Sequence, residues 1–301
     1  MNNSQGSFEV CDCHSHVYGP YARFPLSEDR IFDPPESPIE SLEAVWKASG
    51  ISRAVLVQGS AYGNDHRAML HAIARDPERR RGVAILNETA SDAELADLHR
   101  GGVRAIRVNW VKHLLRSRTE SASSMLKSAG NLARRVFALG WHIEVHVDPD
   151  SLDMVEQLEI APGQTIVIDH VGRVDATLGL GQPGFHRLQN LLDREHIWVK
   201  LSGADRASSR ASSLSAAAGF LASLASQVPD RCVWGLDWPH VNLAHVHADH
   251  VLRRLLLKAI PDPEVHIKIL SENPARLYGF APCEKFETAA VNEQLQGAGI
   301  A

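Results

Sequence analysis

The stretch Asp12-Cys13-His14-Ser15-His16-Val17 follows an apolar segment at residues 8–11 and predicts the end of a first β-strand. Alternate side chains of a strand share one face, so we expect His14 and His16 to point the same way, together with Asp12. Two imidazoles on one face at a strand end have the spacing of metal ligands. The same spacing also occurs in histidines that bond only to backbone or solvent, so the pair needs a partner elsewhere.

That partner lies near the other end of the chain, in the stretch Cys232-Val233-Trp234-Gly235-Leu236-Asp237-Trp238-Pro239-His240. Its apolar residues predict a buried strand that ends in a carboxylate, Asp237. The proline two residues later stops the strand, because it has no backbone N–H to pair. The chain thus has histidines at the end of its first strand and a carboxylate at the end of its last.

Between these stretches the sequence repeats one unit, an apolar strand followed by a loop and a helix. Further strands are predicted at residues 53–58, 82–87, 103–109, 142–147, 165–170, 197–202 and 231–237. Parallel strands need helical crossovers, so eight such units predict a single (β/α)8 TIM barrel over residues 8–280, with a C-terminal tail at 281–301. The alternative is an open doubly wound sheet, but no Gly-x-Gly-x-x-Gly turn directly follows a predicted strand.

Composition narrows the classes of function. The chain has 301 residues, of which 44% are hydrophobic, and a net charge of −5. Since it has no basic block, we expect no binding to nucleic acid or to an anionic membrane surface. The first ten residues do not resemble a signal peptide, and no apolar run is long enough to span a membrane. The four cysteines lack a paired spacing, so we expect a cytoplasmic protein in which Cys11 and Cys13 lie between barrel and helices as small hydrophobic residues.

In a TIM barrel the active site lies at the C-terminal ends of the strands. Polar residues are predicted there on strands 1, 4, 5, 6 and 8 and in the loops just past the strand ends. They are His14, His16, Arg107, Asn109, His146, His170, Arg173, Arg206, Asp237 and His240. Four histidines and a carboxylate that converge on one mouth predict a catalytic or metal-binding site.

Several stretches together resemble one branch of the amidohydrolase superfamily, that of 2-pyrone-4,6-dicarboxylate lactonase and 4-sulfomuconolactone hydrolase. The resemblance covers almost the whole chain. It rests on residues 14–20, 22–25, 57–58, 64–69, 102–109, 111–112, 169–173, 200–203, 206, 234–240 and 273–278. It implies a hydrolase that opens a small anionic lactone in the breakdown of aromatic compounds or sugar acids.

The resemblance also implies how the anion is bound. Arg107, Arg173 and Arg206 stand at the arginine positions of the family, and a planar guanidinium binds an oxyanion through two hydrogen bonds. Asn109 and His240 are expected to contact the substrate as well. Lys112 and Lys200 are weaker candidates for the same task, and Arg104 is expected to point away because of strand alternation.

Ester hydrolysis requires an activated water and a stabilised oxyanion. Asp237 is the expected base, and His170 is expected to orient water or substrate. One position departs from the pattern: the dicarboxylate lactonase, understood to work without metal, has a tyrosine at the end of strand 5, where this chain has His146. With His14, His16 and Asp237, that histidine completes the ligand shell of a mononuclear amidohydrolase site. We therefore expect Zn²⁺ or Mn²⁺, with a metal-free mechanism as the alternative.

Other functions stay open at this point. A lactone isomerase or a metal-dependent decarboxylase would use the same barrel, and a non-catalytic anion-binding barrel would need no Asp237. The arginines after strands 4, 6 and 7 favour a lactone. Loops 18–33, 60–64 and 204–210 are expected to determine which lactone is used, and the sequence allows a homo-oligomer.

Overall fold

The structure, a computed structural model, describes residues 9–114, 121–208, 214–243 and 247–282. Eight parallel strands follow one another around a single sheet in chain order. The strands are β1 Cys11–Ser15, β2 Arg53–Val57, β3 Arg80–Ala84, β4 Val103–Trp110, β5 His142–Val147, β6 Ile166–Ile168, β7 Ile197–Leu201 and β8 Cys232–Trp234. The predicted (β/α)8 barrel is confirmed.

Helices lie between and outside the strands. Within the described residues they are α1 Ile39–Ala48, α2 Arg67–Ala74, α3 Asp92–Arg100, α4 Ala122–Phe137, α5 Asp153–Gln157, α6 Pro183–Leu192, α7 Ala204–Ala207, α8 Ser215–Gln227, α9 Asp249–Ala259, α10 Pro263–Ile267 and α11 Asn273–Tyr278. In this part of the chain, no helix is both long and apolar enough to cross a membrane. Residues 283–301 of the predicted tail and residues 209–210 of the predicted loop 204–210 lie outside the described residues.

The barrel closes where the last strand meets the first. The backbone N–H of Asp237 donates to the carbonyl of His14 over 2.7 Å, and the N–H of His16 donates to the carbonyl of Trp238 over 2.8 Å. Gly235 makes this approach possible, because a Cβ there would lie 2.6 Å from the His14 backbone nitrogen. The two stretches that are farthest apart in sequence are therefore neighbours, and their side chains meet at one end of the barrel.

Two apolar layers support that end. The larger layer packs the helices against the outer face of the sheet, as α4 does with Ala129, Leu132, Ala133 and Val136 at helical spacing. The smaller layer fills the barrel interior with one or two side chains from most strands. Side chains of α11, together with Phe280, extend this layer at the N-terminal end of the barrel. Full burial of an aliphatic side chain contributes about 1.5–3 kcal/mol, so both layers hold the strand ends firmly in place.

Cys11 and Cys13 belong to the interior layer, so the prediction that they lie between barrel and helices is wrong. The reason is a β-bulge in β1. Asp12 pairs with Ala54 and Ser15 pairs with Leu56, so three steps on β1 match two on β2. A bulge resets the alternation of side chains. The carboxylate of Asp12 accordingly accepts a hydrogen bond from the Trp46 indole on α1, 2.9 Å away, and does not share a face with the histidines that follow.

Candidate active site

A small cavity of about 40 Å³ opens at the C-terminal end of the barrel. Its described walls come from the C-terminal ends of seven strands, all except β3, and from the loops that follow them. The lining residues are His16, Tyr18, Phe32, Ser60, Arg107, His113, Leu114, His146, His170, Arg173, Arg206, Asp237, Val241 and Asn242. Three guanidinium groups and one carboxylate therefore surround a space whose other described lining residues are histidines and uncharged side chains.

His14, His16 and Asp237 form a buried cluster whose ligand atoms could hold a metal ion. Oδ1 of Asp237 lies 3.7 Å from Nε2 of His14 and 3.6 Å from Nε2 of His16. These separations exceed a normal hydrogen bond, and neither Nε2 of His14 nor Oδ1 of Asp237 has another partner among the described residues. Both atoms are therefore buried polar groups in need of a partner.

The orientation of His16 favours a cation in this cluster. Nδ1 of His16 lies 2.8 Å from the carbonyl oxygen of Val57, so Nδ1 carries a proton and Nε2 is the nitrogen that faces Asp237. An imidazole nitrogen and a carboxylate oxygen are both ligand atoms for a divalent cation. A divalent cation between them would satisfy both. The residues present therefore fit a metal ion.

Charges around the cluster hold its carboxylate ionised. Burial raises the pKa of Asp237, but the Arg206 guanidinium and the neighbouring imidazoles outweigh burial and hold that pKa well below its usual range. Burial lowers the pKa of His170 to about 3, against the attraction of Asp237. Burial, with help from Lys200, also keeps the pKa of His14 well below its usual value. At neutral pH the site therefore combines the ionised carboxylate of Asp237 with the neutral imidazoles of His14 and His170.

Each of the three arginines predicted to bind the anion is held by a carboxylate. Nε of Arg107 donates to Asp169 over 2.8 Å, and Nε of Arg173 donates to Asp148 over 3.1 Å. Arg206 donates through Nε to Oδ2 of Asp237 and through Nη1 to a backbone carbonyl. These bonds fix the guanidinium planes at the cavity wall without substrate, which reduces the entropy lost on binding an anion.

His146 lies at the cavity wall but outside the cluster formed by His14, His16 and Asp237. A guanidinium can only donate, so the 3.4 Å contact of Arg173 Nη1 with Nε2 of His146 places the ring proton on Nδ1. That proton then points at Oδ1 of Asn109, 3.2 Å away. The fourth ligand therefore stays a prediction, and Nε2 of His146 is directed at Arg173.

The sequence model of the family described as Amidohydrolase matches residues 11–280. A curated relative, 4-sulfomuconolactone hydrolase of Rhizobium radiobacter, is 34% identical over 275 residues, which are 89% of this chain and 89% of the relative. The chain belongs to the amidohydrolase family.

Two further relatives extend the comparison. The 2-pyrone-4,6-dicarboxylate hydrolase of Comamonas testosteroni is 33% identical, again over 89% of each chain. A solved structure described as a probable 2-pyrone-4,6-dicarboxylic acid hydrolase from Acinetobacter baumannii, with citric acid bound, is 26% identical with a TM-score of 0.76. The match covers 90% of this chain and 100% of the chain in that solved structure.

The amidohydrolase site rests on a buried ionic network that the sequence interpretation missed. Nζ of Lys200 lies 2.6 Å from Glu144, 3.2 Å from Asp169 and 3.3 Å from Nδ1 of His14, all fully buried. Tyr278 donates to the other oxygen of Glu144 over 2.7 Å. Lys200 therefore supports the site from within the barrel. Lys112, the other weak candidate for anion binding, is exposed beside Asp150.

The pattern of strand β5 could have revealed part of this network. His142, Glu144 and His146 alternate along the strand, which places all three on the inner face of the barrel. His113 was also missed as a lining residue of the cavity, whereas Tyr18 belongs to loop 18–33, which was expected to determine the substrate. Tyr18 begins the long loop after β1, which therefore contributes to the site as a wall.

His240 lies beside the site. It is not one of the described residues that line the catalytic cavity. Its Nδ1 lies 3.1 Å from Asp205 and its Nε2 lies 2.8 Å from Asp249. Both ring nitrogens are thus used by carboxylates that belong to α7 and α9. Since Asp205 directly precedes Arg206, His240 helps to position the arginine that holds Asp237.

The backbone of the site is strained at four ionisable residues. His170 (φ 52°), Arg173 (φ 54°), Asp237 (φ 65°) and His240 (φ 59°) have left-handed conformations that L-residues rarely adopt. Each such residue costs about 1–3 kcal/mol, and such strain concentrates at functional sites of proteins. All four lie at or beside the C-terminal ends of β6 and β8, where the site is built.

Proposed function

We propose that this amidohydrolase opens a small anionic lactone by attack of water on the ester carbonyl, with Asp237 as the general base. The observation that carries the proposal is the buried and ionised carboxylate of Asp237 beside a cavity with three guanidinium groups. Its Oδ1 has no hydrogen-bond partner among the described residues. The two curated relatives support it, since sulfomuconolactone and pyrone dicarboxylate are both anionic lactones. Citric acid bound to the related solved protein is likewise a carboxylate.

The arginines supply the binding energy. Arg107, Arg173 and Arg206 line the cavity from three directions, and each keeps N–H groups beyond those used by its carboxylate partner. A carboxylate or sulfonate on the lactone would accept these hydrogen bonds, and a neutral lactone would not. We therefore assign the discrimination between anionic and neutral lactones to these three side chains.

Asp237 and the histidines carry out the proton chemistry. Arg206 occupies Oδ2 of Asp237, so Oδ1 is the oxygen that can accept a proton from water. Nε2 of His170 accepts a hydrogen bond from Arg107 over 3.2 Å, so its Nδ1–H donates to Ser202 over 2.9 Å. His170 thus bonds to the anion-binding Arg107 and to Ser202, with its Nε2 3.9 Å from Oδ1 of Asp237, and we propose that it orients water or substrate.

A metal ion is part of the proposal because the low pKa of Asp237 makes it a weak base towards ordinary water. We propose Zn²⁺ or Mn²⁺, held by His14, His16 and Asp237, with His146 as the fourth ligand. When bound, such an ion lowers the pKa of its water to about 7 and polarises a carbonyl. Without it, Asp237 would be the sole base.

The proposal is tested by product analysis. Purified protein is incubated with 2-pyrone-4,6-dicarboxylate, with 4-sulfomuconolactone and with aldonolactones, and the products are followed by NMR. We expect the ring-opened acid from an anionic lactone. A rearranged lactone would indicate an isomerase, release of CO₂ a decarboxylase, and binding without turnover an anion-binding barrel.

We propose the cytoplasm as the location. Cys11, Cys13 and Cys232 are free thiols buried in the apolar layers, which suits a reducing compartment. A homo-oligomer stays a prediction, and light scattering on the purified protein measures it directly.

A further inference from the structure

A second and much larger cavity, of about 590 Å³, lies next to the catalytic one. It is built by the C-terminal ends of β3 and β4, the loop after β2 and the inner face of α4. The lining residues are Ser27, Asp29, Ser60, Gly63, Asn64, Ile85, Leu86, Asn87, Arg107, Val108, Asn109, Trp110, Leu114, Met125, Ser128, Ala129 and Leu132. We call this space the side cavity.

The side cavity adjoins the catalytic cavity. Ser60, Arg107 and Leu114 line both spaces. A molecule whose carboxylate or sulfonate binds Arg107 therefore lies close to the side cavity. The catalytic cavity, at about 40 Å³, is too small for more than the reacting part of a substrate. The rest of a larger molecule would have to lie outside the catalytic cavity, and the side cavity is directly beside that cavity.

The side cavity differs from the catalytic cavity in its charge. Apart from Arg107 at the junction and the exposed Asp29, its described lining residues are uncharged. Carbon surface comes from Ile85, Leu86 and Met125, among others. Amide and hydroxyl groups come from three asparagines and three serines, which can each donate and accept.

The amide of Asn109 points to the same chemistry. Its Oδ1 is used by the Nδ1–H of His146, so its NH₂ group is left to donate. Asn109 lines the side cavity and is absent from the described lining of the catalytic one, so this amide serves a different part of the ligand from the arginines. An uncharged group with both carbon surface and hydroxyls matches such a wall, because a charge there would lose its hydration without a partner.

We propose that the side cavity binds an uncharged, hydroxyl-bearing substituent of the lactone substrate. This inference rests on the proposed lactone hydrolysis and names its substrate class: a lactone with its anionic group at Arg107 and a neutral hydroxylated chain beyond it.

The test compares a γ-lactone that carries one ring carboxylate with three derivatives that carry a propyl, dihydroxypropyl or carboxyethyl chain. We expect the dihydroxypropyl derivative to have the highest kcat/KM, about tenfold above the unsubstituted lactone. The carboxyethyl derivative should fall below it. Equal rates for all four compounds, or a preference for the charged chain, would overturn the proposal.

Ser128→Phe supplies a variant that fills the side cavity from α4 and leaves the arginines and Asp237 untouched. It should lose the preference for the dihydroxypropyl chain and keep its rate on the unsubstituted lactone. Lys127→Phe, at the neighbouring exposed position of α4, is the matched control and should keep the preference. Met125→Trp replaces Ser128→Phe if the latter lowers the melting temperature.

Measurements of binding test the side-cavity proposal independently of the proposed lactone hydrolysis. Calorimetry on the Asp237→Asn protein gives Kd for the same four compounds whether or not any is hydrolysed. A tighter Kd for the dihydroxypropyl derivative that Ser128→Phe abolishes supports the side cavity even if no lactone is opened. Equal Kd values in an enzyme that does open the unsubstituted lactone refute the side cavity and leave the lactonase in place.

Discussion

Nε2 of His14 lies 3.7 Å from Oδ1 of Asp237, and neither atom has a hydrogen-bond partner in the part of the chain that the structure describes. The two groups come from opposite ends of the sequence and are brought together by closure of the barrel. Buried polar atoms without a partner are rare in folded proteins and mark places where something else binds. The position of these two atoms is the basis for the catalytic proposal.

The first prediction concerns metal. Purified protein should contain close to one Zn²⁺ or Mn²⁺ per chain by elemental analysis, and a chelator should remove both metal and activity. His16→Gln should lose metal, since it removes a lone pair that faces Asp237. His146→Tyr should weaken metal binding if His146 is the fourth ligand. Full activity of protein shown to be metal-free would leave Asp237 as the sole base.

The second prediction concerns the arginines. Arg173→Met should mainly raise KM, because loss of a charge-assisted hydrogen bond costs about 1.5–3 kcal/mol, or roughly tenfold to a hundredfold and more in kcat/KM. Arg104→Met is the control: Arg104 bonds to the His99 carbonyl, away from the cavity, and its loss should leave KM unchanged. Equal hydrolysis of neutral and anionic lactones by the unmodified protein would show that the arginines do not select the substrate.

The third prediction concerns the buried network. Lys200→Met would leave the carboxylates of Glu144 and Asp169 buried with their shared cation removed. Breaking a buried ion pair in this way costs about 3–5 kcal/mol of stability. Lys112→Met removes an exposed lysine and should change stability by less than about 0.5 kcal/mol. Chemical denaturation of both variants measures the difference, and similar midpoints would show that the network adds no stability.

The fourth prediction concerns pH. Burial lowers the pKa of His240, but the hydrogen bonds that its ring donates to Asp205 and Asp249 outweigh burial and raise that pKa to about 9. A raised pKa means that the folded protein holds this proton more tightly than the unfolded chain. The resulting stability is fully present below the unfolded pKa of about 6.5, is lost as pH rises to about 9, and amounts to about 3 kcal/mol.

His240→Gln should therefore lower the free energy of unfolding at pH 6 and flatten its decrease between pH 6.5 and 9. His186→Gln, at an exposed position of α6, is the control and should keep the original pH dependence. If His240→Gln and the unmodified protein lose stability in parallel over this range, His240 is not the group responsible.

Much of this architecture could be predicted from the sequence, because apolar strands at regular spacing and parallel pairing leave few topologies. Residues at predicted strand ends, such as Arg107 and Asp237, lie at the cavity because the backbone direction alone places them there. The β-bulge in β1 could not be predicted, since it depends on pairing with β2. It reversed the expected positions of Cys11 and Cys13.

Tertiary contacts explain the other differences. Nothing in the local sequence shows that both nitrogens of His240 are used by Asp205 and Asp249, one of which is 35 residues away. The partners of Lys200 come from other strands, and the sequence shows at most the inward position of one of them, Glu144, through the alternation along β5. A side chain at a strand end can therefore be placed from the sequence, but its hydrogen-bond partners cannot.

The central claim is that Asp237 is the base. Asp237→Asn keeps the size and shape of the side chain but cannot take a proton from water, so kcat should fall by about 10² to 10⁴. Asp230→Asn, at an exposed position just before β8, is the matched control and should keep its turnover. The decisive measurement is kcat together with melting temperature on one preparation of Asp237→Asn. A stable protein that binds the lactone and no longer opens it is the expected result, and a variant that keeps its turnover would contradict the proposal.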